Sequence, residues 1–408
     1  DLNATLESIT LPKELDDDEE DNDEDDGGVK VTEAAPDQHP TPAAAARIRE
    51  LAPFVLAASA GSGFVFLVME LVWYRMLSPL LGGSSYTFGL ILAVALLGIG
   101  LGGLVYSQRG ERPVTLDLFA LSCGLEALAM ALPLALGDRL AWLALFLRPM
   151  GSIGLMGHVM GWTVITAIVV MPCALIAGYQ FPLLIALLGQ GKDNVGRHVG
   201  VAYAFNTLGA IVGSLAGGFF VIPMLGAIGS WKLTIWVLVV LGTAAMVLHV
   251  RSDTARSAAG NRRLVLLPGA VVLLALAMTH LSVGPTGFWR HTPIGAGRAD
   301  AEMQAANRNS MRRARHERNR AITWQADGRE SSIGLSTLND TAFLVSGKSD
   351  GAAVSDSGTQ VMGGLIGAML HKTGVKRAMV IGHRVVPLVA ALRALDERWD
   401  GLFQYHEP

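Results

Sequence analysis

Two acidic residues stand inside long apolar stretches of the sequence. Glu70 lies near the end of the first stretch, and Glu126 lies in the middle of the third. Ionisable side chains within membrane-spanning segments are rare, and they mark ion paths, proton relays or ligand sites. We therefore take Glu70 and Glu126, with Arg75 and with Asn206 of the fifth stretch, as residues that can form a polar pocket or a path for a small cation.

The same residues also have a structural interpretation. Glu70 and Arg75 are close enough in sequence to pair with each other or with neighbouring helices, and Asn206 suits hydrogen bonding between helices. Trp73 and Tyr74 follow Glu70 and are typical of the membrane–water interface. The sequence leaves both interpretations open.

Glycines at four-residue spacing predict close packing between helices. Gly209, Gly213 and Gly217 repeat on one helical face of the fifth stretch, and Gly98 and Gly102 do so in the second. Small residues at this spacing let two backbones approach. This pattern indicates structure rather than activity.

The composition indicates a membrane protein. Of the 408 residues, 51% are hydrophobic and 16% are charged, whereas about a quarter are charged in a typical soluble domain. A helix needs about 20 apolar residues to cross a bilayer. Seven stretches meet this requirement: roughly 52–73, 84–106, 114–136, 160–188, 199–222, 231–250 and 264–283.

One further stretch, 140–157, is ambiguous. It begins apolar and continues with Arg148-Pro149 and a glycine-rich piece, which suits an interfacial or re-entrant segment as well as a span. The fourth stretch contains Pro172 and ends near Pro182, so we expect a kink or a break there.

The basic residues of the loops predict an orientation. Ten lie in loops on the same face of the membrane as the N-terminus: Arg47, Arg49, Arg109, Arg112, Lys192, Arg197, Arg251, Arg256, Arg262 and Arg263. Four lie on the other side: Arg75, Arg139, Arg148 and Lys232. We therefore expect a multi-pass protein of the plasma (inner) membrane with a cytoplasmic N-terminus. Seven spans then place the C-terminal part outside, and eight place it in the cytoplasm.

Polar segments flank the transmembrane domain, which we assign to 47–283. Residues 1–46 are predicted to be a disordered acidic tail, because 11 of the 13 residues from Glu14 to Asp26 are acidic. Residues 284–320 are a basic juxtamembrane linker. Its stretch Asp300–Arg320 is predicted to be helical, and the arginines of Arg308–Arg320 within it either contact anionic lipid headgroups or belong to a solvated linker helix. It has no interleaved aromatic residues, so we do not expect nucleic acid as a partner.

The C-terminal part predicts strands and then an α/β pattern. Strand-like runs at 321–324, 332–338 and 341–345, separated by Asp327-Gly328 and Asn339-Asp340 turns, form a small β domain over 321–358. A helix at 359–370 and a strand at 377–381 begin an α/β domain over 359–408. The predicted fold class is a polytopic α-helical membrane bundle of seven or eight spans. It is followed by a small β domain and the incomplete start of a Rossmann-like domain of the methyltransferase type.

Metal chemistry is not expected. Cys123 and Cys173 both lie in apolar runs, which excludes a disulfide scaffold and a cysteine-based zinc site. His383 has no second residue at ligand spacing.

Several blocks of sequence in the same order resemble bacterial membrane-fused spermidine synthase-like proteins. The blocks span roughly residues 50–382, and several long blocks in order are more specific than one short motif. They are Glu70-Leu-Val-Trp-Tyr-Arg-Met-Leu77, Leu81-Gly-Gly-Ser-Ser-Tyr-Thr-Phe88, Leu97-Gly-Ile-Gly-Leu-Gly-Gly103, Gly178-Tyr-Gln-Phe-Pro-Leu-Leu184, the segment from Gly196 to Ser214, and Leu344-Val-Ser-Gly-Lys-Ser-Asp350 with Asp356, Thr359-Gln360 and His371.

The resemblance implies transfer of an aminopropyl group from decarboxylated S-adenosylmethionine to a diamine such as putrescine. The amine displaces a thioether from carbon, so the site must hold a cationic diamine and align the two reactants. By resemblance, Asp350, Asp356 and Gln360 line the substrate pocket; turn formation by Gly347-Lys-Ser-Asp-Gly351 is their alternative role. Gly382 and Glu407 stand at the cofactor's glycine turn and ribose acid.

The sequence departs from the family after Gly382. Residues from His383 to Pro387 replace further glycines, and the family's catalytic Asp has no counterpart, so we assign no catalytic residue. We expect that this chain alone does not transfer aminopropyl groups, whether by natural divergence or by a shifted reading frame. Two functions follow: a catalytically incomplete spermidine synthase-like membrane protein of polyamine biosynthesis, or a bundle that transports or binds polyamines or similar small cations.

Overall fold

The computed structural model describes residues 42–110, 112–189, 195–251, 263–295, 307–338 and 340–370. Its helices are α1 (Pro42–Leu81), α2 (Ser85–Ser107), α3 (Leu116–Leu136), α4 (Asp138–Leu147), α5 (Leu155–Gly189), α6 (Val195–Ala216), α7 (Ile222–Arg251), α8 (Arg263–Leu281), α9 (Gly287–His291), α10 (Arg308–Ala321) and α11 (Ser357–Met369). Its strands are β1 (Ile322–Asp327), β2 (Ser332–Ser336), β3 (Ala342–Val345) and β4 (Lys348–Ala352). The acidic run Glu14–Asp26 and the predicted strand at 377–381 lie outside these residues.

Long apolar helices dominate the described chain. Five helical stretches are long and apolar enough to cross a membrane, and the longest, Gly196–Arg251, has 56 residues. A straight helix of 56 residues would be about 84 Å long, against about 30 Å of hydrocarbon. A left-handed residue, Gly226 with φ of +70°, interrupts this stretch. Gly226 lies four residues after the start of α7, so the stretch divides there. Its first part is α6, the π-helical extension (Gly217–Val221) and the first turn of α7, and its second part runs from Ala227 to Arg251.

The seven apolar stretches of the sequence all form helices, apart from one or two residues at the ends of some of them. They correspond to α1, α2, α3, α5, α6, α7 and α8. The break expected in the fourth stretch is absent, because α5 continues through Pro172 and Pro182. Neighbouring helices can re-satisfy the few backbone groups that a proline leaves without a partner, and α5 packs against α1, α2 and α3.

The ambiguous stretch 140–157 does not cross the bundle. It forms α4, a 3-10 turn and the start of α5, and the ten residues of α4 are only about 15 Å long. Both ends of α4 contact the segment that follows α8. Asp138 Oδ1 accepts the Thr286 N–H at 2.9 Å, and Arg148 Nη1 donates to the Ile294 carbonyl oxygen at 3.1 Å. The helix α4 therefore caps one end of the bundle.

Glycines bring the long helices together, as their spacing predicts. A Cβ atom on Gly209 would lie 1.8 Å from the Ala60 carbonyl oxygen, so α6 contacts the backbone of α1 there. In the same way a Cβ atom on Gly102 would lie 2.0 Å from the Leu175 carbonyl oxygen, where α2 meets α5. Trp73, which the sequence suggests for the membrane interface, is instead fully buried in the core, because α1 is enclosed by other helices at that level.

The four strands form one antiparallel sheet in the order β1-β2-β3-β4. Ser346 and Gly347 connect β3 to β4, and Val345 pairs with Lys348 across this two-residue turn. Both turn residues have positive φ, +47° and +79°, which is the geometry of a tight hairpin. The sequence left a turn over Gly347–Gly351 as an alternative role; in the structure the turn is formed by Ser346 and Gly347, and most of this segment is strand β4. The sequence of β4 shows no alternation of apolar and polar residues, because it consists largely of Ser, Asp and Gly, which are poor strand formers.

The sheet docks on the end of the bundle that α4 caps. Arg75 near the end of α1 and Ala227 at the start of α7 both bond to the β1–β2 hairpin. Asp138 just after α3 bonds to Thr286, which follows α8. The start of α1 and the sheet consequently lie at opposite ends of the bundle.

Candidate functional site

The predicted substrate residues lie together at the corner between β4 and α11. Asp350 is exposed on β4, and Asp356 immediately precedes α11. The Asp356 carboxylate accepts the Ala352 N–H at 2.8 Å, and the Gln360 amide lies 3.5 Å from the Ala352 carbonyl oxygen. These bonds hold the strand against the helix. Asp356 and Gln360 thus have a structural role in forming the corner, beside any role in binding.

Asp340, which the sequence assigned only to a turn, anchors the loop that leads into α11. Its Oδ2 atom accepts the N–H groups of Val354 and Ser355 at 2.9 and 2.8 Å and the Ser355 hydroxyl at 3.0 Å. These hydrogen bonds, with the Ser355 N–H foremost, hold the pKa of the exposed Asp340 carboxyl below its ordinary value. The loop that positions Asp356 is therefore fixed by a charged side chain.

A cavity of about 250 Å³ lies between the sheet and the capped end of the bundle. The sheet side contributes Ser349 and Ala352, the connection between β2 and β3 contributes Asp340, and the bundle side contributes His291 and Arg318. The cavity is large enough for a small polar molecule. Ala352 joins it to the β4–α11 corner, because Asp356 and Gln360 both bond to the Ala352 backbone.

Arg75 does not pair with Glu70, which corrects one of the two roles considered for it. Its guanidinium instead donates to the carbonyl oxygens of Gly328 and Arg329, at 2.9 and 2.8 Å. These carbonyls belong to the β1–β2 turn, which lies more than 250 residues further along the chain. The planar guanidinium suits two acceptors side by side. Arg75 therefore connects the end of α1 to the sheet.

A buried ion pair strengthens the same junction. Asp327 of β1 accepts Arg290 Nη2 at 2.6 Å, and the two side chains are only 4% and 8% exposed. The second carboxylate oxygen of Asp327 accepts the Ala227 N–H at 2.9 Å, just after the left-handed Gly226. Burial alone would raise the pKa of Asp327, but Arg290, with hydrogen bonds from Ser332 and Ala227 and the charge of Arg75, holds it below its ordinary value.

His291 completes this junction as a neutral imidazole. Its Nε2 atom donates to Gln325 Oε1 at 3.1 Å, and the side chain is 2% exposed. Burial, followed by the positive charge of Arg290, lowers the pKa of His291 to about 4. A protonated imidazole would be desolvated beside a guanidinium, so the junction favours the uncharged form.

The polar candidates of the apolar stretches occupy three separate places. Glu126 is 2% exposed in the core, where the Cys173 thiol donates to Oε1 at 3.7 Å. Glu70 is half-buried on α1. Asn206 lies at the α1–α6 contact, where a Cβ atom on Gly63 would be 2.1 Å from its backbone carbonyl oxygen. No hydrogen bond or ion pair described in the structure joins these residues to one another.

The basic helix α10 lies across the capped end of the bundle. Arg315 Nε bonds to Asp138 at 2.6 Å, and Asn319 Oδ1 accepts the Phe288 N–H at 2.7 Å. These contacts fix its inner face. Its outer face carries exposed cationic residues: Arg312, Arg313 and Arg320, with His316 beside them.

The chain is similar to two aminopropyltransferases. It is 31% identical over 246 residues to polyamine aminopropyltransferase 2 of Streptomyces coelicolor, a match that covers 60% of this chain and 41% of that protein. It is 29% identical over 218 residues to polyamine aminopropyltransferase 1 of the same organism, covering 53% and 37% of the two chains. The chain therefore spans about two fifths of the length of these curated relatives. No family model and no solved structure matches it.

The structure brings together some predicted residues and leaves others apart. Asp350, Asp356 and Gln360 share one corner, whereas the predicted cofactor residues Gly382 and Glu407 lie outside the described residues. Within the described ranges no three His, Cys, Asp or Glu side chains are grouped as metal ligands.

Sequence interpretation missed the junction of Arg290 and Asp327. One feature pointed to it: the run Phe288-Trp-Arg-His291 follows the last apolar stretch, and aromatic residues beside charges suit a buried polar contact.

Proposed function

We propose that the chain is the membrane-anchored part of a spermidine synthase-like aminopropyltransferase that acts in polyamine biosynthesis. The similarity to two polyamine aminopropyltransferases carries this proposal. The β4–α11 corner supports it, since Asp356 and Gln360 both bond to the Ala352 backbone there and Asp350 is exposed two residues earlier on the same strand. Carboxylates suit the recognition of a cationic diamine.

In the proposed reaction the diamine nitrogen attacks the aminopropyl carbon of decarboxylated S-adenosylmethionine and the thioether sulfur leaves with the bonding electrons. The exposed carboxylate of Asp350 attracts the diamine, and Asp356 with Gln360 sets the position of the strand that carries it. Asp340 holds the preceding loop. Alignment of the two reactants is the main task of such a site, because the sulfonium is already activated.

Putrescine binding tests the proposal directly. The protein in lipid nanodiscs should bind putrescine, and Asp350→Asn should weaken binding by about tenfold, the loss of one charge-assisted contact. Glu330→Gln is the matched control, because Glu330 is an exposed acid at the opposite edge of the sheet. Binding that is equal in wild type and Asp350→Asn would contradict the role of this corner. Spermidine formation by this chain alone would contradict the expectation that it is catalytically incomplete.

We further propose seven spans, with α4 as a cap on the sheet side. The arrangement supports this number because α1 begins at one end of the bundle and the sheet docks at the other. The loop charges predict a cytoplasmic N-terminus, which would place the sheet outside. Aminopropyl transfer uses a donor made in the cytoplasm and requires the sheet inside. The two expectations exclude each other.

The outer face of α10 favours a cytoplasmic sheet. Its exposed arginines lie on the sheet side and were not among the four basic residues counted there from the loops. Labelling of single cysteines at Ser331 and at Ser107 with a membrane-impermeant maleimide in intact cells decides the orientation. Labelling at Ser107 alone supports aminopropyl transfer in the cytoplasm, and labelling at Ser331 alone contradicts it.

Anionic lipid headgroups are the proposed partner of α10. Arg312, Arg313 and Arg320 point away from the protein at the end of the bundle, where headgroups lie. Phosphatidylglycerol should stay bound to the protein in native mass spectrometry, and replacing the three arginines by glutamine should reduce retention by several-fold. Replacing them by lysine keeps the charge and should keep the lipid. Equal retention in the glutamine variant would refute the contact.

Transport or binding of polyamines by the bundle is the second candidate. The buried Glu126 and the half-buried Glu70 favour it, since acidic residues within spans mark cation paths. Vesicles that contain the protein should take up labelled putrescine, and Glu70→Gln should abolish uptake. Glu50→Gln on the exposed start of α1 is the control. Absent uptake by the wild type counts against transport.

A further inference from the structure

Three polar atoms without partners lie together around Glu126 in the centre of α3. Glu126 is 2% exposed, and its Oε2 atom has no hydrogen-bond partner among the described residues. Gln180 of α5 is 1% exposed, and within the same part of the chain neither Oε1 nor Nε2 of its amide has a partner. A buried polar group without a partner costs several kcal/mol in an apolar interior. Three such atoms in one place therefore call for a ligand.

Helix geometry places the surrounding groups on facing surfaces. Cys173 and Gln180 are seven residues apart on α5, which is two turns, so they share one face. The Cys173 thiol contacts Glu126 at 3.7 Å, and the Gln180 amide is its other polar neighbour. Cys123 lies one turn before Glu126 on α3 and is also buried. The site is thus a buried cluster of polar side chains between α3 and α5.

The surrounding helices offer no countercharge to a Glu126 carboxylate in the described structure. The ionisable groups that face it are the thiols of Cys123 and Cys173. Bases on the other helices packed against α3 are engaged elsewhere: His249 of α7 lies 3.9 Å from Asp117, and the His280 ring of α8 packs on Trp236. Lys232 lies near the sheet end of α7. A third histidine on these helices, His158 of α5, stacks on Trp162 near the capped end of the bundle.

We propose that Glu126 and Gln180, with Cys173, form an intramembrane proton-binding site. The amide can serve both protonation states: its oxygen accepts the acid O–H, and its N–H₂ donates to the carboxylate after the proton leaves. In a purely structural contact between α3 and α5 these atoms would form hydrogen bonds with each other. Among the described residues they have no hydrogen-bond partner. The inference does not depend on aminopropyl transfer or on polyamine transport.

Infrared spectroscopy of the protein in a supported bilayer tests the site. The carbonyl band of the protonated Glu126 acid is identified as the band lost in Glu126→Gln. We expect this band to disappear as the buffer is raised between about pH 5 and pH 10, with a tenfold change in the acid-to-carboxylate ratio per pH unit. A band of constant intensity across this range would refute proton exchange. A band that is absent at every pH would also refute it.

A second variant separates proton binding from a folding effect. Gln180→Leu keeps the side-chain size but removes the group that stabilises the carboxylate, so the midpoint of the band should move to higher pH. Gln108→Leu, at an exposed residue directly after α2, is the control with the same substitution. An unchanged midpoint in Gln180→Leu, with the protein still monodisperse in detergent, would overturn the assignment of Gln180.

Discussion

The contact between α1 and α6 and the contact between the sheet and the bundle join distant parts of the chain by opposite means. The first uses backbone against backbone: a Cβ atom on Gly209 would meet the Ala60 carbonyl oxygen at 1.8 Å. The second uses charged side chains, with Asp327 bonded to Arg290 at 2.6 Å and to the N–H of Ala227 at 2.9 Å. Close backbone packing thus joins the two helices, whereas an ion pair and charged hydrogen bonds join the sheet to the bundle.

This difference follows from the solvent on each side. In the proposed membrane-spanning arrangement, lipid tails are as apolar as the helices, so burial gives no gain there and close packing decides which helices associate. At the end of the bundle the polar backbone of a β-turn must be covered, and Arg75 supplies donors for two of its carbonyls. The bundle should therefore respond to changes in volume, and the junction to changes in charge.

The largest effect should come from Asp327→Asn. The variant leaves the buried Arg290 guanidinium beside Arg75 without a carboxylate, and breaking a buried pair in this way costs about 4 kcal/mol. Chemical unfolding in detergent measures the loss. Glu330→Gln in the same hairpin removes an exposed charge and should change stability little. Equal midpoints for the two variants would show that the ion pair does not hold the sheet.

Gly209→Ala tests the other side of the comparison. The added methyl group overlaps backbone atoms of α1 that cannot rotate away, so we expect a loss of about 3 kcal/mol. Gly200→Ala is the matched control on α6, because no atom lies within 4 Å of its Cβ position. That substitution should be neutral or slightly stabilising. Thermal unfolding of the two variants measures the difference in stability. Equal melting temperatures would show that the close contact of Gly209 with α1 does not stabilise the bundle.

The same contrast explains how much of the molecule the sequence predicts. The apolar stretches and the spacing of Gly209 and Gly213 are local patterns, and the helices and their contact with α1 follow from them. The pairing of Asp327 with Arg290 joins residues 37 apart, and neither belongs to a periodic pattern. Long-range polar contacts of this kind have no local periodicity from which they could be predicted.

The candidate site also has features that the sequence predicts and features that it does not. The grouping of Asp350, Asp356 and Gln360 came from resemblance to a family, and the short segment between them keeps them close. A turn over the residues of β4 was left open because Ser, Asp and Gly favour turns, whereas pairing with β3 overrides that preference. The hydrogen bonds of Asp340 to Val354 and Ser355 depend on that pairing and were not predictable.

Acidification should weaken the junction through His291. Its pKa of about 4 in the folded protein lies below 6.5, so between these values the unfolded chain binds a proton that the folded chain does not. Stability should fall as the pH drops from about 6.5 to about 4, by up to about 3 kcal/mol. The pKa of Asp327 is also depressed, but it acts at lower pH. Unfolding curves of wild type and His291→Gln measure the effect, and parallel pH dependence in both would contradict it.

The smallest effect should come from Arg75→Lys. Lysine keeps the positive charge near Asp327 but cannot donate in one plane to both Gly328 and Arg329, so one carbonyl loses its partner. We expect a loss of about 1 kcal/mol, the net value of one hydrogen bond. Arg313→Lys on the exposed face of α10 is the control and should be silent. If Arg75→Lys were as damaging as Asp327→Asn, the junction would depend on the geometry of the guanidinium rather than on charge, and the contrast with the bundle would narrow.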